Sequence, residues 1–154
     1  MSSIEVIGFG ALNIDHIYRV ERILTDGEAP VSDYCAAPGG SAANTIYGMA
    51  KLGVMTGFLG AVGDDEQGRM LIGDLQSVGV DVGQIRLKKS KTGATCCVTD
   101  KRGKRTLYIL PGANSLLTRE DIDPAYIRQA KILHLSSFVD KKQMDVQKQI
   151  IDTI

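Results

Sequence analysis

Pro38-Gly39-Gly40-Ser41-Ala42-Ala43-Asn44-Thr45-Ile46-Tyr47-Gly48-Met49-Ala50-Lys51-Leu52-Gly53 is the stretch on which the reading of this chain turns. Pro38, Gly39 and Gly40 predict a turn, because glycine tolerates positive φ and close backbone approach. A helix is expected at once after it, with Ala43, Ile46, Tyr47 and Ala50 at helical spacing on one apolar face. Gly53 is expected to cap its C-terminus. The small side chains of Ser41, Ala42 and Ala43 leave room at the first turn, where free N–H groups favour electron-rich oxygens. Asn44, one turn in, offers a donor and an acceptor. The same residues equally suit a tight turn packed on a sheet, so this stretch alone leaves both readings open.

Upstream, Ile4 to Phe9 is an apolar run that reads as a buried strand. Gly8-Phe9-Gly10-Ala11-Leu12-Asn13 then approaches a dinucleotide-binding fingerprint, but Asn13 stands where its third glycine belongs. Ile14 to Val20 alternates like a strand, which also speaks against that motif. Asn13 and Asp15 remain of interest. They follow a buried strand directly, and ligands of open α/β sheets bind beyond the carboxyl ends of strands. A carboxylate there accepts hydrogen bonds from neighbouring hydroxyls; alternatively it caps local N–H groups in a turn.

Downstream, Met55 to Val62 reads as a second core strand, and Gly63 to Gly68 as an acidic turn into a helix. Helix capping explains Asp64 and Asp65 better than metal binding, since no further ligands are evident. Met70, Leu71, Leu75 and Val78 are expected on the buried face of that helix, with a short strand at Ile85 to Leu87. Residues 94 to 99 and 105 to 110 flank Asp100-Lys101-Arg102-Gly103-Lys104, a β-hairpin pattern with a solvated basic tip. Alternation places Cys96 and Cys97 on opposite faces. Pro111-Gly112-Ala113-Asn114 makes another glycine turn, Thr118 a helix cap, and residues 123 to 129 a short helical turn. Lys131 to Ser136 reads as a core strand with His134 inside it. Ser136 and Ser137 stand at its carboxyl end. From Lys141 a helix carries Val146, Ile150 and Ile154 at spacing four, with Ile151 beside them.

The chain has 154 residues, with 18 Lys plus Arg balancing 18 Asp plus Glu. That balance gives no basic field for nucleic acid and no basic amphipathic stretch for a membrane. The N-terminus lacks the basic and apolar blocks of a signal peptide. Cys35, Cys96 and Cys97 are an odd number and fit reduced thiols, hence a cytoplasmic setting. Zinc is not expected, because no Cys-x-x-Cys pair exists and His16 and His134 are far apart in sequence.

Together the motifs resemble the N-terminal part of the ribokinase-like (PfkB) carbohydrate kinase family. The matching residues are Gly10-x-x-Asn13-x-Asp15 and Gly39-Gly40-Ser41-Ala42-Ala43-Asn44 running to Lys51-Leu52-Gly53. Gly60-x-Val62-Gly63-x-Asp65-x-x-Gly68, Gly79-Val80-Asp81 and Pro111-Gly112-Ala113-Asn114 continue the match, which covers nearly the whole chain. The resemblance implies an α/β three-layer sandwich, here a partial domain over residues 1–154, with a small β-sheet lid made by segments 14–36 and 93–110. It implies transfer of the ATP γ-phosphate to a hydroxymethyl group of a sugar or nucleoside. Asn13 and Asp15 would hold substrate hydroxyls, Gly39, Gly40 and Asn44 would do so from the opposite side, and Asn114 would act at the lid hinge. Some members carry an acidic side chain at about Ser137, so its absence leaves the sugar open. The family's motifs for ATP and Mg2+, and its catalytic base, belong to a later half absent from these residues. No catalytic or metal residue is therefore expected in this chain, which alone is expected to be inactive and to need that missing C-terminal half. A homodimer through the lid is also implied. A non-catalytic sugar-binding or lid-mediated interaction module is the alternative.

Overall fold

Apolar runs that alternate between two layers build the first of two sheets. The computed structural model describes residues 4–136 and 141–152. In chain order the elements are β1 (Val6–Phe9), β2 (Asn13–Val20), β3 (Val31–Gly39), α1 (Ser41–Lys51), β4 (Thr56–Gly63), α2 (Glu66–Ser77) and β5 (Asp81–Lys88). Then follow β6 (Gly93–Asp100), β7 (Arg105–Leu110), α3 (Pro124–Ile127), β8 (Ile132–Leu135) and α4 (Lys141–Ile151). Short 3₁₀ turns at Gly112–Leu116 and Arg119–Asp121 join β7 to α3.

The first sheet has the order β5-β4-β1-β8, and every pairing within it is parallel. Side chains on a strand point alternately to opposite faces. Val6, Phe58 and Val62 therefore join Ala42, Ala43, Ile46, Leu71 and Leu75 of α1 and α2 in one core. Ile7, Phe9, Leu59 and Ala61 join Leu117, Tyr126, Ile127, Val146 and Ile150 in the other. That is a three-layer α/β sandwich, with β4 buried along its entire length. Buried apolar runs of this kind are what parallel sheets covered on both faces require.

The second sheet has the order β3-β2-β6-β7. β2 pairs antiparallel with β3 and parallel with β6, and β6 forms an antiparallel hairpin with β7. At the hairpin tip the Asp100 carboxylate accepts the N–H groups of Arg102 and Lys104, and Gly103 takes a φ of 79°.

Several elements differ from the sequence-based expectation. The turn before α1 does not begin at Pro38: β3 runs on through Pro38 and Gly39, and the chain bends at Gly40, whose φ is 111°. A proline is tolerated there because β3 is an edge strand. β5 extends over Asp81–Lys88 rather than over three residues. Met70 is exposed, since Leu71 and Leu75 supply the buried stripe of α2, and Ile151 is exposed on α4. Gly53 adopts the positive φ expected of a helix terminator. Ser137 and Ile154 lie outside the described residues.

One carboxylate ties the sandwich to the start of the second sheet. Asp65 caps α2 by accepting the Gly68 N–H at 2.8 Å, and it also accepts the Thr92 N–H at 2.8 Å and the Thr92 hydroxyl at 2.6 Å. The Thr92 oxygen in turn accepts the Gly63 N–H at 3.0 Å. Burial raises the Asp65 pKa, but the hydrogen bonds from Thr92 and Gly68 and the charge of Arg69 outweigh it and hold the carboxyl below its ordinary value. Gly63 and Gly68 leave the needed space: a Cβ on Gly63 would lie 2.3 Å from the Ser90 carbonyl oxygen, and one on Gly68 2.2 Å from the Gly63 carbonyl oxygen.

Candidate functional site

β1 ends at Phe9, and the chain crosses at Gly10-Ala11-Leu12 into β2. This crossing, the start of α1, the 3₁₀ turn at Gly112 and the inward face of the second sheet enclose a cavity of about 490 Å³. Asn13, Asp15 and Ile17 line it from β2, Thr95 and Cys97 from β6, and Arg105, Leu107 and Ile109 from β7. Gly40 and Ser41 line it at the helix N-terminus, and Asn114, Ser115 and Gln143 complete the wall. The period of two along the strands explains this set, because Asn13, Asp15 and Ile17 share one face of β2 and Gly93, Thr95 and Cys97 one face of β6. The opposite face carries His16, Tyr18, Cys96 and Tyr108.

Asp15 has its place because of Gly39. A Cβ on Gly39 would lie 2.3 Å from the Asp15 carboxyl carbon, so only glycine at this position leaves the carboxylate where it is. Gly40 is needed for a different reason: besides its positive φ, a Cβ there would meet the Ala11 carbonyl oxygen at 2.1 Å. Asn13 and Asn114 are both buried and linked, the Asn114 Nδ2 donating to Asn13 Oδ1 at 2.9 Å. Asn114 also spans the crossing, accepting the Leu12 N–H at 3.0 Å and donating to the Leu12 carbonyl at 3.1 Å and the Pro111 carbonyl at 3.0 Å.

Of the residues singled out from sequence, Asn13, Asp15, Gly40 and Asn114 meet at this cavity. Gly39 and Asn44 line a neighbouring recess of about 260 Å³ with Leu12, Pro38, Tyr47 and Asp74. Asn44 is exposed there, so its side chain and that of Asp15 open on different hollows. Ser136 is occupied structurally: its hydroxyl accepts the Ala42 N–H at 3.2 Å, and a Cβ on Gly10 would lie 2.5 Å from it. His134 sits on β8 with its Nε2 buried and without a hydrogen-bond partner among the described residues.

Sequence reading passed over Thr95, Arg105, Ser115 and Gln143 as site residues. Arg105 lines the same cavity as Asp15, and its place on that face follows from alternation only once β7 is paired to β6. Gln143 is fully buried on α4, donating from Nε2 to the Leu117 carbonyl at 3.0 Å. Among the described residues no group of three or more His, Cys, Asp or Glu side chains is gathered to hold a metal ion. No described helix is long and apolar enough to cross a membrane.

The cavity therefore offers a carboxylate, amides and a helix start beside apolar strand residues, a set of acceptors and donors suited to a polyhydroxylated small molecule. The chain is 35% identical over 136 residues to an ATP-dependent ribose-1-phosphate kinase of Halopiger xanaduensis, covering 87% of this chain and 46% of that protein. It is 35% identical over 140 residues to a fructokinase of Solanum tuberosum, covering 89% of this chain and 43% of the relative. A crystal structure of ribokinase from Thermotoga maritima superposes with a TM-score of 0.75 at 29% identity, over 84% of this chain and 44% of that one. The chain thus spans a little under half the length of the curated relatives it matches. The model of the pfkB family carbohydrate kinases matches residues 3–150, and the chain belongs to that family.

Proposed function

We propose that this chain forms the sugar-binding half of an ATP-dependent kinase that phosphorylates a hydroxymethyl group of a sugar or nucleoside. The observation that carries this reading is the convergence of Asn13 and Asp15 on the cavity beneath the second sheet. In this reading β2, β3, β6 and β7, from segments 14–36 and 93–110, act as a lid over the cavity. The lid's inner apolar residues Ile17, Leu107 and Ile109 exclude water, while Asp15 and Asn13 bind hydroxyls. Asn44 is left out of the contact set because its side chain opens on the neighbouring recess. ATP and Mg2+ supply the phosphoryl group and its charge neutralisation in such kinases, and we assign neither to residues of this chain. A cytoplasmic location accords with the three free thiols.

The test is calorimetry of the protein carrying this chain with D-fructose and D-ribose. Asp15→Ala is expected to weaken sugar binding by about tenfold or more, since hydrogen bonds to a charged group contribute roughly 1.5–3 kcal/mol. Unchanged affinity in Asp15→Ala would sink the assignment.

A second copy of the chain is the partner proposed for the lid's outer face. Tyr34, Tyr108 and Leu110 are 50%, 67% and 60% exposed there, an apolar surface that favours cover. Tyr108→Glu is expected to shift a dimer to monomer in sedimentation, and an unchanged oligomer would place the contact elsewhere. The same face leaves a second reading in play, a lid-mediated interaction module without catalysis. ATP consumption in the presence of sugar separates the two.

A further inference from the structure

We propose that Asn114 is a positioning residue that fixes the Asn13 side-chain amide with its NH2 group toward the cavity, so that the site presents a donor at Asn13 beside an acceptor at Asp15. The inference rests on the sugar site proposed above and adds to it the sense of each hydrogen bond.

The orientation follows from a chain of constraints. The Leu12 N–H can only donate, so the Asn114 side-chain atom 3.0 Å from it must be the amide oxygen. The other end of the Asn114 amide is then the NH2. It faces the Leu12 and Pro111 carbonyls, both acceptors, which agrees. The Asn13 atom 2.9 Å from that NH2 must therefore accept, which makes it Oδ1. Asn13 cannot flip without setting its NH2 against the NH2 of Asn114. Gly93 leaves the room that the pair occupies, since a Cβ there would lie 2.3 Å from both Asn114 Nδ2 and Asn13 Oδ1. What is left of Asn13 is Nδ2, which is not among the buried unpaired atoms and belongs to a residue that lines the cavity.

Asn13 and Asp15 share one face of β2, two residues apart. A ligand between them must accept at one point and donate at the next. Neighbouring hydroxyls of a sugar satisfy both at once. A carboxylate or phosphate at the same place would face Asp15 with like charge, and an amine would leave the Asn13 NH2 without an acceptor. The chemistry selected at this end of the cavity is a pair of adjacent hydroxyls.

The experiment is side-chain amide NMR on the 15N-labelled protein carrying this chain. Before any ligand is added, the Asn114 NH2 protons are expected to exchange slowly with solvent and the Asn13 NH2 protons quickly. Addition of D-fructose or D-ribose is expected to shift the Asn13 amide resonance. Asn114→Asp keeps the acceptor for Leu12 but removes the donor to Asn13, so it is expected to weaken sugar binding by about tenfold, as is Asn13→Asp. An Asn13 NH2 that is protected in the free protein, and unmoved by a sugar that binds, overturns the proposal. So does a folded Asn114→Asp with full affinity. If Asn114→Asp does not fold, the exchange and shift measurements on the unsubstituted protein decide. If neither sugar binds while the exchange pattern holds, the sugar reading of the cavity fails and the amide orientation stands.

Discussion

β4 and β3 are strands of similar length in adjoining sheets, yet β4 is buried throughout while β3 is exposed from Val31 to Ala36. β4 sits between two helical layers, so Phe58 and Leu59 enter different cores. β3 is an edge strand with nothing of the described chain over its outer side chains. The first sheet is therefore held by burial on both faces. The second is held by strand pairing, by Ile14 of β2 in the first core and by its joints to the sandwich at Asn114 and Asp65. The difference teaches that the candidate site lies between a floor buried on both faces and a more exposed cover, and local opening is easiest where few apolar contacts are buried.

The largest effect should come from the floor. Phe58→Ala removes a fully buried ring and is expected to cost about 3–5 kcal/mol in urea unfolding. Tyr34→Ala, in the half-exposed cluster of Tyr18, Tyr34 and His16, is expected to cost under about 1 kcal/mol. Equal losses would erase the contrast between the sheets.

The joint comes next. Asp65→Ala removes a helix cap and frees the Thr92 N–H and hydroxyl, and about 2 kcal/mol of stability is expected to go with it. A loss below about half a kcal/mol would mean that the joint is redundant.

Acid should show the same joint with smaller amplitude. Asp121 resembles Asp65 here: burial raises its pKa, while Lys88 at 2.6 Å and the Thr118 N–H and hydroxyl lower it further, so the net shift is downward. Both carboxyls bind their proton less readily folded than unfolded. Their contribution is complete above the unfolded carboxylate value of about 3.9 and is lost as pH falls through the lower folded values. Melting temperature is expected to hold between neutral and mildly acidic pH and to drop below about pH 4. Asp65→Asn should flatten that drop, and a profile identical to the parent's would remove Asp65 from its cause.

The smallest effect belongs to the lid's rim. Lys101 and Glu21 form an ion pair whose side chains are 71% and 72% exposed. Lys101→Ala should change stability by no more than about 0.5 kcal/mol. A larger change would show the cover to be more firmly held than its exposure implies.

How much of this was legible beforehand depended on whether a pattern was local. β1, β4 and the β6–β7 hairpin stood out because apolar runs and a glycine tip are short-range signals. The glycine at position 40 was legible for the same reason, and so were the Asp65 and Thr118 caps. β3's continuation through Pro38 was hidden because proline forbids only interior pairing, and nothing local said that this strand lay at an edge. Met70 misled because an apolar side chain beside Leu71 looks buried until the stripe of α2 is placed. For the site, Asn13 and Asp15 could be picked from their position after a strand. Arg105 and Thr95 could not, since the inward face of β6 and β7 is defined only by pairing with β2. The divergence of Asn44 from Asp15 likewise depends on where β3 ends.

The parallel pairing of β2 with β6 has a consequence for how the molecule comes into being. During synthesis β2 and β3 can close as a local hairpin early. The other edge of β2, from Asn13 to Val20, finds its partner only when Gly93 to Asp100 have emerged. In the interval the chain produces α1, β4, α2 and β5, the elements from which one core of the sandwich is assembled. Long-range pairings form slowly because loop closure precedes any gain from contact. The nascent chain thus carries an open β edge until β6 has emerged, a surface on which two unfinished molecules can pair with each other before either has built its cavity.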